Sequence, residues 1–494
     1  MVTEAKILLI GSVFLFLPQA FADTDSPVPQ AEQIVVTANR VDTPEDQVTS
    51  SYTVITKEEI ERKQKTQVAD LLRDIPGLSV TNAGGPGKTT SVYVRGADPA
   101  SVLVFIDGIE MNDPLSTGRG FDFGNFSTQD IEKIEVIRGS QSVLYGSDAT
   151  GGVIQIFTKK GAGALQSSFE GEYGTYKSYR LQGNVRGSIE KLKYFLGVGH
   201  FTTEGFPASD QALGNTINNG QSLTTLTGNL GLELAPKTTL NWSGRYSNSN
   251  YTFSTGGPPG SDGFGGRTGD DPGYNGTDVQ GYTKIQMNSW ITDFWEPQVS
   301  LTYSLNHRTS DHVSNPLNPS ASNFTYDSNR IRALFQNNLY WGESQNVTIG
   351  LDSAVENGTA SELYPPSTAD SGIKGRSDFV HGIFVQDLLK LGDFFGTLGG
   401  RYDIHQYAGN AFTYRIAPGY KIDSTHTTLR ASLNTGFKAP SLYQLFSTYG
   451  NSNLKSERST SFEVGLDQEL LRPGTKLSMT YFQTNYDQLV TFDS

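Results

Sequence analysis

Cysteine is absent from all 494 residues, which removes disulfide frameworks, thiolate metal centres and cysteine nucleophiles together. Histidine is scarce. The six are His200, His307, His312, His381, His405 and His426, and no two stand at the spacing that puts ligands on one helix face. No apolar run of roughly 18 residues occurs, so no helix is expected to cross a bilayer. The run from Ile7 to Leu17 follows Lys6 and precedes Ala20-Phe21-Ala22, a small-x-small cleavage pattern, and reads as a secretory signal over residues 1–22. Positive charge is also short: 38 Lys and Arg against 51 Asp and Glu leave a formal charge of −13, which excludes a nucleic-acid surface built on a basic stripe. No Gly-x-Ser-x-Gly elbow is present. Gly84-Gly85-Pro86-Gly87-Lys88-Thr89 lacks the first glycine of a phosphate loop, because Asn82 stands there. Nothing in these residues points to an enzyme.

Glycine and aromatic side chains are plentiful: 54 Gly, 27 Phe and 23 Tyr, beside only 18% charged and 36% hydrophobic residues. Many strands, each apolar on one face alone, produce that balance. From about residue 162 the chain carries fifteen strand-like segments, spread between 167 and 489. Trp242, Gly244 and Tyr246 alternate with Asn241, Ser243 and Arg245, and Val299, Leu301, Tyr303 and Leu305 alternate with Ser300, Thr302 and Ser304. A two-residue period of this kind suits one face toward lipid and one toward a wet lumen. Short turns such as Pro236-Lys237, Asp293-Phe294 and Gly392-Asp393 alternate largely with long polar excursions near 204–220, 253–279, 310–324, 358–375 and 437–458. A transmembrane barrel has that arrangement, with short periplasmic turns and long outer loops. Lipid offers no partner to an open edge, so closure is expected. Bacterial single-chain barrels have even strand numbers, and the expectation is therefore a C-terminally incomplete barrel over 162–494.

Ahead of the strands, residues 23–48 are polar, contain Pro27, Pro29 and Pro44, and read as a flexible arm. One apolar island interrupts it, Ile34-Val35-Val36-Thr37-Ala38, whose β-formers suit addition as a strand to a partner's open sheet edge. Residues 49–161 read as a small α+β domain. Thr56-Lys57-Glu58-Glu59 has the pattern of a capped helix start. A second helix over Val68 to Asp74 stops at Pro76-Gly77. Short apolar strands follow at 78–80, 91–94, 102–106, 131–137 and 153–157.

The island continues as Asn39-Arg40. The domain behind it contains Asp70-Leu71-Leu72-Arg73-Asp74-Ile75-Pro76-Gly77-Leu78-Ser79-Val80, Val94-Arg95-Gly96 and Val104-Phe105-Ile106-Asp107-Gly108. It also contains Ile134-Glu135-Val136-Ile137-Arg138-Gly139 and Leu144-Tyr145-Gly146-Ser147-Asp148-Ala149-Thr150-Gly151-Gly152. Together these resemble the plug of TonB-dependent outer-membrane receptors. Phe437-Lys438-Ala439-Pro440-Ser441 with Asn453-Leu454-Lys455-Ser456-Glu457 is similar to a motif of their barrel. Within the family, the plug stretches stand nearest to the cobalamin (vitamin B12) transporters.

The resemblance implies an all-β transmembrane antiparallel barrel, of 22 strands in the family and about 15 here, plugged by the N-terminal α+β domain. It implies that Ile34, Val35, Val36, Thr37 and Ala38 form the box that binds TonB, a partner energised by an inner-membrane complex. It further implies import of a scarce nutrient, cobalamin first or another metal chelate, across the bacterial outer membrane, with no catalytic residue. The outward apices of the plug, 81–88 and 111–123, make Asn82, Lys88, Met111, Asn112, Arg119 and Phe121 candidate ligand contacts by position. Arg95 and Arg138 are expected against acidic lumen groups. Cobalamin transporters order their outer loops with calcium, and the matching loops here offer Asp210, Asp262, Asp270 and Asp271, oxygen ligands suited to that ion. A solvated Gly-rich loop is the plainer reading of the second loop. A ferric-siderophore receptor is the nearest alternative, with Arg267, Tyr274, Tyr364 and Tyr449 available to an iron chelate. Haem is disfavoured because residues 437–457 contain no histidine. A passive porin or an adhesin would need neither plug nor box.

Overall fold

The computed structural model describes residues 35–36, 39–41, 43–208, 217–256, 270–314, 321–365, 367, 369–470 and 475–491. The secretory signal, Ile34, Thr37 and Ala38 of the box, Asp210, Asp262 and Arg267 lie outside them. Of Val35, Val36, Asp270 and Asp271 only the backbone is described.

The N-terminal elements are β1 (Val35–Val36), β2 (Thr43–Pro44), β3 (Tyr52–Ile55), α1 (Lys57–Lys63), α2 (Val68–Arg73), β4 (Leu78–Asn82) and β5 (Thr90–Val94). They are followed by β6 (Val102–Ile106), β7 (Ile109–Glu110), β8 (Ile131–Arg138), α3 (Ser142–Tyr145) and β9 (Gly152–Thr158). Helix α1 starts where the Thr56 hydroxyl accepts from the Glu59 amide at 3.4 Å, and it ends at left-handed Gln64. Helix α2 buries Val68, Ala69, Leu71 and Leu72, a stripe at helical spacing. The main sheet runs β3-β8-β9-β6-β7, with β6 and β9 parallel and the other neighbours antiparallel. One face, through Val104, Ile106, Ile134, Val136, Ile154 and Ile156, packs on the two helices. The other, through Leu103, Phe105, Ile137 and Val153, meets Leu144 and Tyr145 of α3 and Phe384 of the wall. Nearly continuous apolar runs in β6, β8 and β9 fit a sheet covered on both sides.

The wall begins with β10 (Gln166–Gly174), β11 (Ser178–Ile189), β12 (Leu192–Phe206), β13 (Asn219–Ala235) and β14 (Thr238–Gly256). Next come β15 (Asp270–Ser289), β16 (Trp295–His312), β17 (Ser322–Trp341), β18 (Gln345–Leu363) and β19 (Arg376–Leu391). The last are β20 (Phe394–His405), β21 (Gly409–Ile422), β22 (Thr427–Lys438), β23 (Glu457–Glu469) and β24 (Lys476–Asp487). Each is antiparallel to its sequence neighbour, and among the described residues the edge strands β10 and β24 pair only with β11 and β23. The long connections 207–218, 257–269, 313–321, 364–375 and 439–456 all fall at one end of the sheet. On β18, Ile349, Leu351 and Val355 are 41%, 54% and 39% exposed while Thr348, Asp352 and Glu356 are buried, so apolar side chains face out and polar ones face the plug. Glycines on the inner face let the plug come close. A Cβ on Gly199 would overlap the Gln129 amide oxygen at 1.7 Å, and one on Gly197 an Asp130 carboxylate oxygen at 2.4 Å.

The arm differs from its expectation over its final residues. Asn39, Val41, Thr43 and Val48 are buried, because the segment runs inside the wall, where the Asn39 and Arg40 carbonyls accept from Gln386 and Gln336.

Candidate functional site

A ladder of buried charge joins plug and wall. Arg119, at the plug's apex, donates from Nε to Asp148 at 2.7 Å and from Nη1 and Nη2 to Glu356 at 2.8 and 2.5 Å. Two parallel bonds to one carboxylate give a planar, directional contact. Glu356 also takes Arg330, and Glu110 of the plug is shared by Arg330 and by Arg332, the latter at 2.9 Å. Arg332 grips Asp352 through two bonds at 2.7 and 2.5 Å. Asp352 also accepts from Arg401 at 3.2 Å and stands 3.9 Å from Arg40, two residues beyond the box. The Arg40 guanidinium lies 5.0 and 5.2 Å from the ring centres of Tyr145 and Phe384. Buried charges persist only when paired, and here Glu110, Asp352 and Glu356 each serve at least two guanidinium groups while Asp148 serves Arg119. Further plug–wall pairs join Asp113 to Arg308 at 2.8 Å and Glu45 to Lys476 at 3.5 Å.

Of the two arginines expected at the wall, Arg95 reaches it: Nη1 is 2.5 Å from Glu463, and the guanidinium lies 4.2 Å from the Phe482 ring. Arg138 stays inside the plug. It donates to Thr53 Oγ1 at 2.8 Å and to the carbonyl of Pro76, in the turn after α2, at 3.0 Å. Burial and nearby Arg95 lower its pKa to about 10.

The candidate ligand contacts separate in the same way. Asn82 is exposed but serves its own loop, accepting from the Gly84 and Gly85 amides at 2.9 and 2.6 Å. Met111 is 3% exposed in the plug core. Asn112 is held by Val104, Val102 and Arg119 backbone atoms at 2.9, 3.0 and 2.8 Å. Phe121 packs edge-on against Phe123 at 4.7 Å. Met111, Asn112, Arg119 and Phe121 thus pack the plug or bind the wall and present no surface to a ligand. Apical position in the sequence does not distinguish a loop tip from the turn beneath it. Lys88 alone of the six turns to the wall above the plug.

There the inner face carries aromatic and cationic side chains. Tyr251 and Phe253 on β14, Tyr274 on β15 and His312 on β16 form a run with ring separations of 5.9, 5.0 and 4.1 Å. Lys88 places Nζ 4.9 Å from the Tyr251 ring centre, and it donates to the Thr252 carbonyl. Burial lowers its pKa to about 8. Arg308 lies 5.2 Å over Tyr326 on β17. Tyr326 in turn faces Tyr443 of α4 (Leu442–Phe446), a short loop helix closed by a reciprocal Ser441–Gln444 capping box. Arg376 lies 4.7 Å over Phe446. This belt joins aromatic faces to cations, a chemistry that receives flat, anionic ligands. Apart from Tyr274 and Lys88, the belt was not singled out from the sequence. Its signal was the inward phase of each strand carried past the membrane into the loop end. Among the described residues no cluster of three His, Asp or Glu is placed to hold a metal ion.

Two families match the chain: the TonB-dependent receptor plug domain over residues 44–153, and the TonB-dependent receptor-like β-barrel over residues 168–494. Among solved structures it is similar to the siderophore receptor PirA from Acinetobacter baumannii, at 20% identity and a TM-score of 0.72, covering 88% of this chain and 70% of that one. It is similar to the ferripyoverdine receptor of the outer membrane of Pseudomonas aeruginosa, at 16% identity and a TM-score of 0.74, covering 92% and 65%. A mutant of the ferric enterobactin receptor PfeA from Pseudomonas aeruginosa matches at 21% identity and a TM-score of 0.72, covering 92% and 73%. At these identities the likeness describes the fold, and the chain spans about two thirds of each receptor's length.

Proposed function

The chain belongs to the TonB-dependent receptors of the bacterial outer membrane, and from that premise we propose that it imports an anionic, aromatic ferric chelate of the siderophore class. The belt carries this reading. Tyr251, Phe253, Tyr274 and Tyr326 supply ring faces and Lys88, Arg308 and Arg376 supply positive charge above the plug. The solved receptors it resembles, described as siderophore, ferripyoverdine and ferric enterobactin receptors, support the same class. Cobalamin is the second reading, favoured by the plug stretches. Cyanocobalamin is neutral overall and brings no net negative charge to the belt's cations, of which Arg308 already pairs with Asp113.

In this reading TonB adds to the box as a strand and pulls. The pull falls first on Arg40, two residues further on, and through Asp352 on the Arg332–Glu110 and Arg330–Glu356–Arg119 contacts. The ladder thus joins the box to the plug's apex through charged pairs that separate as units.

The test is equilibrium binding of radiolabelled ferric enterobactin, ferripyoverdine and cyanocobalamin to outer-membrane vesicles carrying the receptor. Saturable binding of a ferric chelate, weakened at least tenfold in Lys88→Ala with Arg308→Ala, is expected. Binding of cyanocobalamin alone would replace this reading with the second. Repeating the cyanocobalamin arm with a calcium chelator tests Asp210, Asp262, Asp270 and Asp271 as calcium ligands.

A further inference from the structure

The plug is not held evenly. Among the described residues, every plug–wall ion pair named above falls on β16 to β18, β23 or β24. Toward β13 to β15 the contacts are of another kind. Asn125 sits between Gln221 at 2.8 Å and Asp278 at 2.9 Å, and Asn229 donates to Thr158 and to the Lys159 carbonyl at 2.7 and 2.8 Å. Lys284 donates to the Asp107 carbonyl. Arg245 caps the Phe126 ring at 4.3 Å, yet its Nη2 and the Tyr282 hydroxyl are buried with no protein partner.

Below this seam, at the short-turn end, lies a cavity of about 950 Å³ between the plug and strands β12 to β17. Five cations line it, Arg40, Lys160, Lys193, Lys284 and Arg332, against two carboxylates, Asp107 and Glu296, and most of the remaining polar lining is amide. The space suits a whole small ligand, since pockets for such molecules run about 300–1,000 Å³. Strand β14 measures what separates it from the outer belt. Its inner face passes from Asn241 and Ser243, in the cavity, through buried Arg245, Ser247 and Ser249, to Tyr251 and Phe253 in the belt. Three inward residues separate the two along β14, about 26 Å of strand from Ser243 to Tyr251 at 3.3 Å per residue.

We propose that this cavity is a periplasmic transit site for an anionic cargo, reached when the plug parts from β13 to β15 while its ion pairs to the opposite arc hold. The inference rests on the proposed anionic-chelate import. Among the described residues, separation at the seam breaks hydrogen bonds and no ion pair. The same holds for β19 to β22, where Arg415 donates to Gln141, Thr49 and Ser50, but only the seam has cations and unused donors facing the path from belt to cavity.

The native chain has no cysteine, so paired cysteines in the full receptor can be bridged cleanly with a short bis-maleimide. Bridging Asn125→Cys to Asp278→Cys is expected to cut uptake of radiolabelled ferric enterobactin or ferripyoverdine at least tenfold with surface binding unchanged. Bridging Ser147→Cys to Ala439→Cys, whose backbone and hydroxyl meet at 2.9 Å on the far arc, is expected to leave uptake within twofold. Loss of uptake with both bridges, or with the far bridge alone, overturns the route. A second arm needs no cargo. In purified receptor in vesicles, Gln298→Cys is expected to react at least tenfold faster with an anionic maleimide than with a cationic one, from the short-turn side only. Equal rates, or reaction from the long-loop side, overturn the transit site. If the unbridged receptor takes up neither chelate, the cargo reading fails and the labelling arm decides the cavity separately.

Discussion

Val136 in the plug and Asp352 in the wall are buried to nearly the same degree, 0% and 5% exposed, yet one is apolar and the other charged. The plug follows the rule of a water-soluble domain: Ile134, Val136, Ile154 and Leu72 are inside, and polar groups inside it, such as Asn112 and Arg138, are hydrogen-bonded. The wall inverts it, with Leu351, Ile383 and Leu398 more than half exposed and Glu356, Arg401 and Asp403 buried. Where the two meet, both surfaces are mainly polar, with apolar contact confined to places such as Phe384 against Leu144 and Tyr145 and Leu115 against Ala360 and Leu442. The hydrophobic effect, the main driving force for folding, therefore holds each part together and contributes little to holding them to each other. That suits a part built to move. The joint depends on matched charges, which are strong only while every partner is present.

The largest effect is expected from breaking one such match. Glu356→Ala leaves buried Arg119 with Asp148 alone and buried Arg330 with Glu110 alone, a loss of up to about 3–5 kcal/mol. The expected readout is earlier melting of the plug while the barrel's own transition stays in place. Loss of both transitions together would erase the distinction between the two parts. Leu72→Ala opens a cavity inside the plug and is expected to cost about 2–5 kcal/mol, again in the plug transition alone. Leu351→Arg acts on the other part. An arginine facing lipid is expected to cost about 2–4 kcal/mol near the bilayer midplane, read as poorer barrel refolding into vesicles with plug contacts unchanged. The smallest effect concerns charge in the belt. Lys88 carries its proton below about pH 8 and loses it above, since burial lowers its pKa. Affinity for an anionic chelate should fall a few-fold as pH rises through that value, and Lys88→Arg should remove the dependence.

The wall was largely legible because its two-residue period repeats without interruption. Fifteen segments were expected and fifteen strands form, with Trp242, Tyr246 and Val299 on the outer face as their alternation required. In the plug, Thr56 and the run Val68 to Asp74 announced α1 and α2 through capping chemistry and spacing. Strand β3 was missed although Tyr52, Thr53, Val54 and Ile55 are all β-formers, because so short a run becomes a strand only against β8. Side-chain partners were the least legible part. Arg119 meets Glu356 across 237 residues of sequence, and no local feature distinguishes it from Arg138, whose hydrogen-bond partners lie in its own domain. The available signal was on the wall, where Arg330, Arg332, Asp352 and Glu356 place charge on the inward phase of adjacent strands. Ionisable residues at membrane depth are costly enough to imply a partner.

The central claim is that ligand binding and energy coupling reside in separate parts of one gated receptor. The direct measurement compares surface binding and uptake of radiolabelled ferric enterobactin in cells carrying the native receptor or Val36→Pro. Proline removes the amide that strand addition to the box requires. The account predicts binding within twofold of native and uptake reduced to that of cells lacking TonB. Binding and uptake lost to the same extent, or uptake unchanged, would contradict it.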